Sequence, residues 1–308
     1  MVQQGHLKVW QVSDGKPGHV KQATALIAAL GALRHVELSV LPAWPLRKAL
    51  SALLRPNGSG FTQHPGLVIG VGHGTHPTVL ALQRQLGARS AVIMNPSLPA
   101  KLFDAVITPL HDGFKAGGNR LVTPLSLAPV PDISAAPDYQ KGLILLGGES
   151  RHFQWQNADV LQQMCALAER YPAVHWQATT SRRTPENFAG TRARLPSSIE
   201  LLDWSDLPTD WLQQTLPTAG HIWVTEDSAS MLAEAMNTRA YVGLIKLASS
   251  QRTNKLRRGT SVLIADGRLA TLERCHSETY SATADTACEQ RENPNIVCAQ
   301  SLLTLLDL

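Results

Sequence analysis

Gly147-Gly148-Glu149-Ser150-Arg151 is the stretch on which the fold turns. It follows the apolar run Gly142-Leu143-Ile144-Leu145-Leu146 and precedes a helical pattern that starts near Asn157. A buried strand that ends in paired glycines, a hydroxyl and a basic residue suits anion binding. Glycine lets the backbone approach a ligand closely, and successive N–H groups there form a concave anion site. The first half of the chain opens in the same way: Leu7-Lys8-Val9-Trp10-Gln11-Val12 runs into Asp14-Gly15-Lys16-Pro17-Gly18-His19. Two halves that each begin with a strand and a glycine-containing loop predict two similar α/β domains facing one another across a cleft.

The rest of the 308-residue sequence fits that reading. Its length accommodates two ordinary domains. Hydrophobic residues at 44% and charged residues at 17% exclude a disordered chain. The formal charge, 28 − 24 = +4, favours anionic ligands but is too small to argue for nucleic acid. Cys165, Cys275, Cys288 and Cys298 form no C-x-x-C pair, so free thiols in a reducing compartment are expected, with neither zinc nor disulfides. Met1–His6 has no apolar run of signal-peptide length, and no segment reaches 18 consecutive apolar residues. The expected location is the cytoplasm, with peripheral contact at the inner membrane as the sharper alternative.

Strands and helices alternate along the first half. Strands are expected at Leu7–Val12, Val36–Leu41, Leu67–Val71, Ala91–Met94 and Ala105–Thr108, and helices at Val20–Leu30, Leu46–Leu54 and Thr78–Leu86. This pattern predicts a parallel sheet covered by helices. Ala128–Pro137 holds three prolines and reads as a linker. Alternation then resumes with strands at Gly142–Leu146, His175–Thr179, Ile199–Leu202, His221–Val224 and Tyr241–Ile245. Helices fall at Asn157–Arg170 and Ser228–Met236, the latter closed by Asn237 as a left-handed cap. The expected domains are 1–130 and 138–270. The segment 271–308 adds a polar loop and a terminal helix.

The loops at the carboxyl ends of such strands hold ligands. In the first half, Lys16 brings charge to a helix N-terminus and His19 a candidate general base, with Asp14 and Gly18 beside them. The plain alternative is a tight turn with Lys16 solvated and His19 helping to cap the helix. His73 and His76, in Gly70–Pro77, have metal-like spacing, but no carboxylate or cysteine is near in sequence, so substrate contact is favoured. Asn95 and Asp112 end later strands and line the same crevice in this reading. In the second half, Thr180, Ser181, Arg182 and Arg183 suit phosphate, since guanidinium donates parallel hydrogen bonds. The alternative there is a helix cap at Thr184 with solvated arginines. Thr225–Ala235 is a strand-to-helix junction in which Asp227 or Ser228 can cap the helix, with Glu226, Ser230 and Glu234 as further polar groups. Glu234 sits among apolar residues and needs a partner, either a sugar hydroxyl or a neighbouring arginine. Lys246–Arg258 carries five cations and no acid, which reads as a solvated face or as a surface for anionic lipid or nucleotide phosphate.

Together, Asp14–His19, Gly70–Pro77, Met94–Pro99, His111–Gly113, Leu146–Trp155, Thr179–Pro185 and Glu226–Ala235 resemble the elongated-mitochondria (mitochondrial fission) protein-like family. That family is in turn similar to nucleotide-sugar glycosyltransferases with two Rossmann-like domains, the GT-B type. The resemblance implies a C-terminal domain that holds a nucleotide diphosphate, with Gly147, Gly148, Ser150 and Arg151 at phosphate and Glu226 or Glu234 at ribose or sugar. It implies an acceptor side in the N-terminal domain, with His19 near the reacting sugar. The expected activity is transfer from a nucleotide-diphosphate sugar, with no metal or other cofactor. The rivals are an adaptor that kept the fold without the chemistry, acting at a membrane surface, and an epimerase or hydrolase using the same cleft.

Overall fold

The structure, a computed structural model, describes residues 6–54, 61–131, 136–250, 255–273 and 293–308. Cys275, Cys288, Arg252, the Lys255 side chain and most of Thr271–Pro294 lie outside the described residues, as does part of the proline-rich segment. The chain divides into two compact units, Met1–Pro129 with Glu292–Leu308, and Val130–Arg291.

The first unit is a six-stranded parallel sheet of β1 (Leu7–Ser13), β2 (Val36–Pro42), β3 (Leu67–Val71), β4 (Arg89–Ile93), β5 (Ala105–Pro109) and β6 (Arg120–Thr123), in the order β2-β1-β3-β4-β5-β6. Helices α1 (Pro17–Leu33), α2 (Leu46–Leu54) and α3 (His76–Leu86) connect its strands. Successive strand residues point to opposite faces, and here both faces are covered. Val9, Leu67, Ile69, Ile93 and Ile107 pack with Leu26 and Leu30 of α1, while Trp10, Val12, Val68 and Val92 pack with Val79 and Leu82 of α3. That is why the central strand β3, Leu67–Val71, reads as an unbroken apolar run. The C-terminal helix (Pro294–Leu306) joins the α1 face through Ala299, Leu302 and Leu306. Asn295 Nδ2 donates to Ala128 O at 2.7 Å, which pins the helix beside the end of the first stretch.

The second unit is also a six-stranded parallel sheet. Its strands are β7 (Asp138–Leu145), β9 (His175–Thr179), β10 (Ile199–Leu202), β11 (Ala219–Thr225), β12 (Tyr241–Ile245) and β14 (Ala270–Thr271), in the order β10-β9-β7-β11-β12-β14. Helices α4 (Asn157–Arg170), α5 (Trp211–Thr215), α6 (Ala229–Ala235) and α7 (Lys255–Ala265) accompany it. A short antiparallel ribbon of β8 (Phe153–Gln154) and β13 (Ala248–Ser249) ties the loop after β7 to the loop after β12.

Two glycines set the packing of this sheet. Gly142 lies in register with Trp176, and Gly243 with Trp223. Each indole, 1% and 0% exposed, lies over its neighbouring glycine, and a Cβ at either position would meet the ring. Glycine in a central strand therefore marks a site where a large side chain crosses the backbone.

The structure departs from the sequence reading in a few elements. β6 is a strand that four residues with polar ends did not announce, and α7 forms where only a basic run was read. Asn237 is not left-handed: among the described residues only Met94 (φ 77°) and Asp307 (φ 53°) are non-glycine residues with positive φ. The Asn237 N–H instead turns back to Glu234 O at 3.2 Å. Gly243→Ala should lower stability by about 1–3 kcal/mol through overpacking against Trp223. An unchanged urea midpoint would show that the indole can move aside.

Candidate functional site

Parallel sheets bind ligands beyond the carboxyl ends of their strands, where neighbouring connections leave in opposite directions. In the first unit that point lies between β1 and β3, and in the second between β7 and β11. Four of the loops singled out from sequence follow these strands, while Asn95, Asp112 and Thr180–Arg183 follow β4, β5 and β9.

In the first unit, the loop after β1 turns at Gly15 (φ 77°), with its N–H on Ser13 Oγ at 3.2 Å. Pro17 opens α1, and the turn brings His19 back toward Asp14. His19 Nδ1 lies 3.0 and 2.9 Å from the two Asp14 carboxylate oxygens. His19 therefore does not cap the helix; its ring is held by Asp14. Burial works against ionisation of Asp14. The Lys16 N–H (3.3 Å), the His19 imidazole and the Lys16 ammonium outweigh it and hold the carboxyl below its ordinary range. The His19 ring lies against Gly72 in the loop after β3, where a Cβ would collide with it, and Gly72 itself needs φ 80°. Gly74 faces Asp14. Asp14, His19, Gly72 and Gly74 are thus one cluster at the switch point.

The other expected acceptor-side residues are arranged less uniformly. Lys16, Gly18, His73 and Asn95 are exposed and Asp112 is half-buried. Met94, just before Asn95, is in the left-handed region at the end of β4, an uncommon backbone state for a long side chain. His76 is 1% exposed at the start of α3, edge-on to His73 and Phe103, and neither ring nitrogen has a partner among the described residues. Burial, with His73 nearby, depresses its pKa to about 4.

In the second unit a buried carboxylate organises the switch point. The Asp227 side chain is fully buried; Oδ2 accepts from Gly148 N at 3.0 Å and pairs with Arg183 Nη2 at 2.7 Å. The Gly147 N–H donates to Thr225 Oγ1 at 2.7 Å, and the Glu149 N–H to Arg183 O at 3.2 Å. Ser181 and Thr184 hydroxyls both donate to Gly147 O. A Cβ on Gly147 would strike Asp227, and one on Gly148 would strike the Arg183 backbone. The glycines are needed, but for closeness to protein. The Gly147 and Gly148 amides, expected as anion donors, are spent inside the protein. Among the described residues, the Ser150 and Arg151 amides are the ones in this loop without a protein partner. The Ser150 hydroxyl accepts from the His152 and Phe153 N–H groups.

Several other expectations change here. Neither Asp227 nor Ser228 caps α6 with its side chain; Ser228 is the capping position by backbone alone. Thr184 is not a cap either, because its hydroxyl ties the β7 and β9 loops together. Glu226 is already engaged: Arg257 grips it through Nε and Nη2 at 2.9 and 3.0 Å, and the Leu247 N–H donates to it at 3.3 Å. The run Lys246–Arg258 accordingly has acidic partners that come from elsewhere in the chain, since Lys246 also pairs with Glu273 at 2.7 Å. Glu234 is buried on α6 and Ser230 is exposed there. Arg182 is exposed and lies over Trp204 at 5.3 Å, while Trp204 N–H donates to Thr180 Oγ1. Trp204 was not anticipated from sequence, and neither were the partners of Thr225 and Arg257, because these contacts span 22 to 78 residues. A cavity of about 320 Å³ opens at the amino ends of β7 and β9, lined by Lys141, His175, Gln177, Glu200, Thr215 and Thr218, at the end opposite to the switch point. Among the described residues no group of three or more His, Cys, Asp or Glu could hold a metal ion, and no helix is long and apolar enough to cross a membrane.

The state of His76 has a pH consequence. The unfolded chain takes up a proton near the ordinary histidine value, while the folded protein resists until about pH 4. Folding stability should therefore fall as pH drops from about 6.5 through about 4. His76→Leu removes two unpartnered nitrogens and should flatten that part of the stability–pH curve in chemical denaturation. An unchanged slope would assign the acid sensitivity to other groups.

The arrangement is similar in fold to several solved structures. MurG of Acinetobacter baumannii aligns over 98% of this chain and 99% of its own, at 15% identity and TM-score 0.51. UDP-GlcNAc 2-epimerase of Methanocaldococcus jannaschii aligns over 98% and 99%, at 12% identity and TM-score 0.50. The calicheamicin glycosyltransferase CalG4 aligns over 99% and 97%, at 12% identity and TM-score 0.50. At these identities the likeness shows the fold, two Rossmann-like units of GT-B type. No curated protein matches the chain in sequence. The profile of the mitochondrial fission ELM1 family matches residues 17–297, so the chain belongs to the mitochondrial fission ELM1 family.

Proposed function

We propose that the protein is a metal-independent glycosyltransferase that takes its sugar from a nucleotide diphosphate. The observation that carries this reading is the Asp14–His19 pair against Gly72 at the switch point of the first unit. With Asp14 ionised, Nδ1 of His19 carries the proton and donates to it, so Nε2 is left as a base. An acceptor hydroxyl at Nε2 loses its proton as its oxygen bonds to the anomeric carbon. The bond from that carbon to the diphosphate breaks, and the diphosphate leaves with the electron pair. Within the second unit, the Ser150 and Arg151 amides and the Arg151 and Arg182 guanidinium groups are the donors suited to a diphosphate's charge. Arg183, committed to Asp227, holds the loop rather than the ligand. Glu226, committed to Arg257, does the same.

The fold similarity to a calicheamicin glycosyltransferase supports the reaction class. The similarity to a UDP-GlcNAc epimerase supports a second reading, epimerisation of a nucleotide sugar in the same site. Thermal-shift titration with UDP, GDP, ADP, CMP and their sugars finds the nucleotide, since a ligand of the native state raises the melting temperature with its concentration. Product analysis then separates a transferred sugar from an epimerised one. His19→Ala should lower transfer by roughly 10²–10⁴-fold with nucleotide affinity nearly intact. Asp14→Asn should lower it too, by leaving the tautomer unset. Transfer at the wild-type rate in His19→Ala would remove His19 from the mechanism, and a chain that binds no nucleotide would leave the adaptor reading.

A further inference from the structure

The first unit carries an exposed apolar stripe that its own core does not use. On α2, Leu46, Leu50 and Leu54 are 59%, 49% and 87% exposed, while Ala49 is fully buried. At about 100° per residue the three leucines spread over roughly 80° of the helix surface, with Arg47 at its border and Lys48 further round. The Lys48 ammonium lies 4.6 Å over the ring of half-buried Trp44, just before the helix. No acid stands on α2. The sequence has no Asp or Glu from Leu38 to Phe103, and in that span it has Arg47, Lys48, Arg55, Arg84, Arg89 and Lys101.

From this geometry we infer that α2 is an interfacial helix that seats the first unit on an anionic bilayer surface. A convex helix with a leucine stripe, a cationic border and an adjacent tryptophan matches the headgroup boundary. There the apolar face sinks in, the cations meet lipid phosphate, and the amphipathic ring stays at the interface. The acid-free span supplies the charge complementarity that selects an anionic bilayer over an apolar protein groove. The helix is held firmly enough to act as a foot. Trp44 N–H donates to Thr78 Oγ1 at 2.8 Å, and Gln85 Nε2 to Ala52 O at 2.7 Å, both on α3. Because α3 starts at His76, directly after the Gly72–Thr75 loop, bilayer contact would bring the β1 and β3 loops close to the membrane surface.

Flotation of the full chain with phosphatidylcholine vesicles, with and without phosphatidylglycerol, tests this without any need for turnover, so its failure leaves the transferase reading untouched. The wild type should float with the anionic vesicles and release as salt rises. Arg47→Glu with Lys48→Glu should reduce binding by on the order of five-fold or more per residue. Leu50→Asp, and separately Leu46→Ser, should reduce it at every salt concentration. These positions are exposed, so melting temperatures should stay close to wild type. Equal flotation with neutral and anionic vesicles, or wild-type flotation by Leu50→Asp, would overturn the proposal. So would a wild type that does not float but forms a dimer abolished by Leu50→Asp, since the stripe would then serve a second copy of the chain.

Discussion

The carboxylate of Asp227 is the interaction on which the second unit's functional end depends. A fully buried charge is tolerable only when it is paired and hydrogen-bonded. Asp227 satisfies this with the Gly148 amide and the Arg183 guanidinium, and so joins the loops after β7, β9 and β11. Its other oxygen has no partner among the described residues. The closeness it enforces explains the glycines, since any side chain at 147 or 148 would meet Asp227 or the Arg183 backbone. It also explains why the free N–H groups of the loop start only at Ser150. Neutral truncation of Asp227 would strand an arginine and an amide together, which is why the loss should exceed that of one ordinary hydrogen bond.

The first unit reaches a comparable arrangement by different means. Its clamp is the Asp14–His19 pair, less deeply buried, with 20% of the His19 side chain and 10% of the Asp14 side chain exposed. Where Asp227 is consumed by structure, Asp14 leaves one imidazole nitrogen unspent. The strand orders differ as well, β2-β1-β3 against β10-β9-β7-β11. Both nonetheless put the loop after the first strand at the point where connections diverge.

Leu67–Val71 and Tyr241–Ile245 were legible because their apolar runs are nearly unbroken. Together with His175–Thr179 and Ile199–Leu202, where polar residues alternate with buried ones, they keep the bounds read from sequence. The helices Leu46–Leu54 and Asn157–Arg170 do too. β6 was not legible, since a four-residue edge strand has too little pattern. The loops were legible as positions but not as partners. Glycine, hydroxyl and arginine in Gly147–Arg151 and Thr179–Pro185 look the same whether they cradle a phosphate or one another. Here the Ser181 and Thr184 hydroxyls turn to Gly147 O. Only Asp14 and His19, five residues apart across one turn, meet as their spacing allowed.

Charge shows the same limit and how far it can be pushed. The cations of Lys246–Arg258 form an acid-free run in sequence, yet Glu226 and Glu273 reach Arg257 and Lys246 from other elements. A run of 13 residues is short compared with the distances over which a parallel α/β fold brings strands together, so its local charge predicts little about its surface. The span from Leu38 to Phe103 differs in kind. It contains most of β2, all of β3 and β4, two α-helices and their loops, and its own acid count is zero. Neighbours inside it cannot neutralise one another, and among the described residues Arg89 draws on Asp104 at its edge. Arg47 keeps its charge beside the exposed leucine stripe, and Lys48 on the other flank of the helix, for that reason. The longer an acid-free span, the more of its charge survives folding, and this is what makes the surface of α2 readable where the later basic run was not.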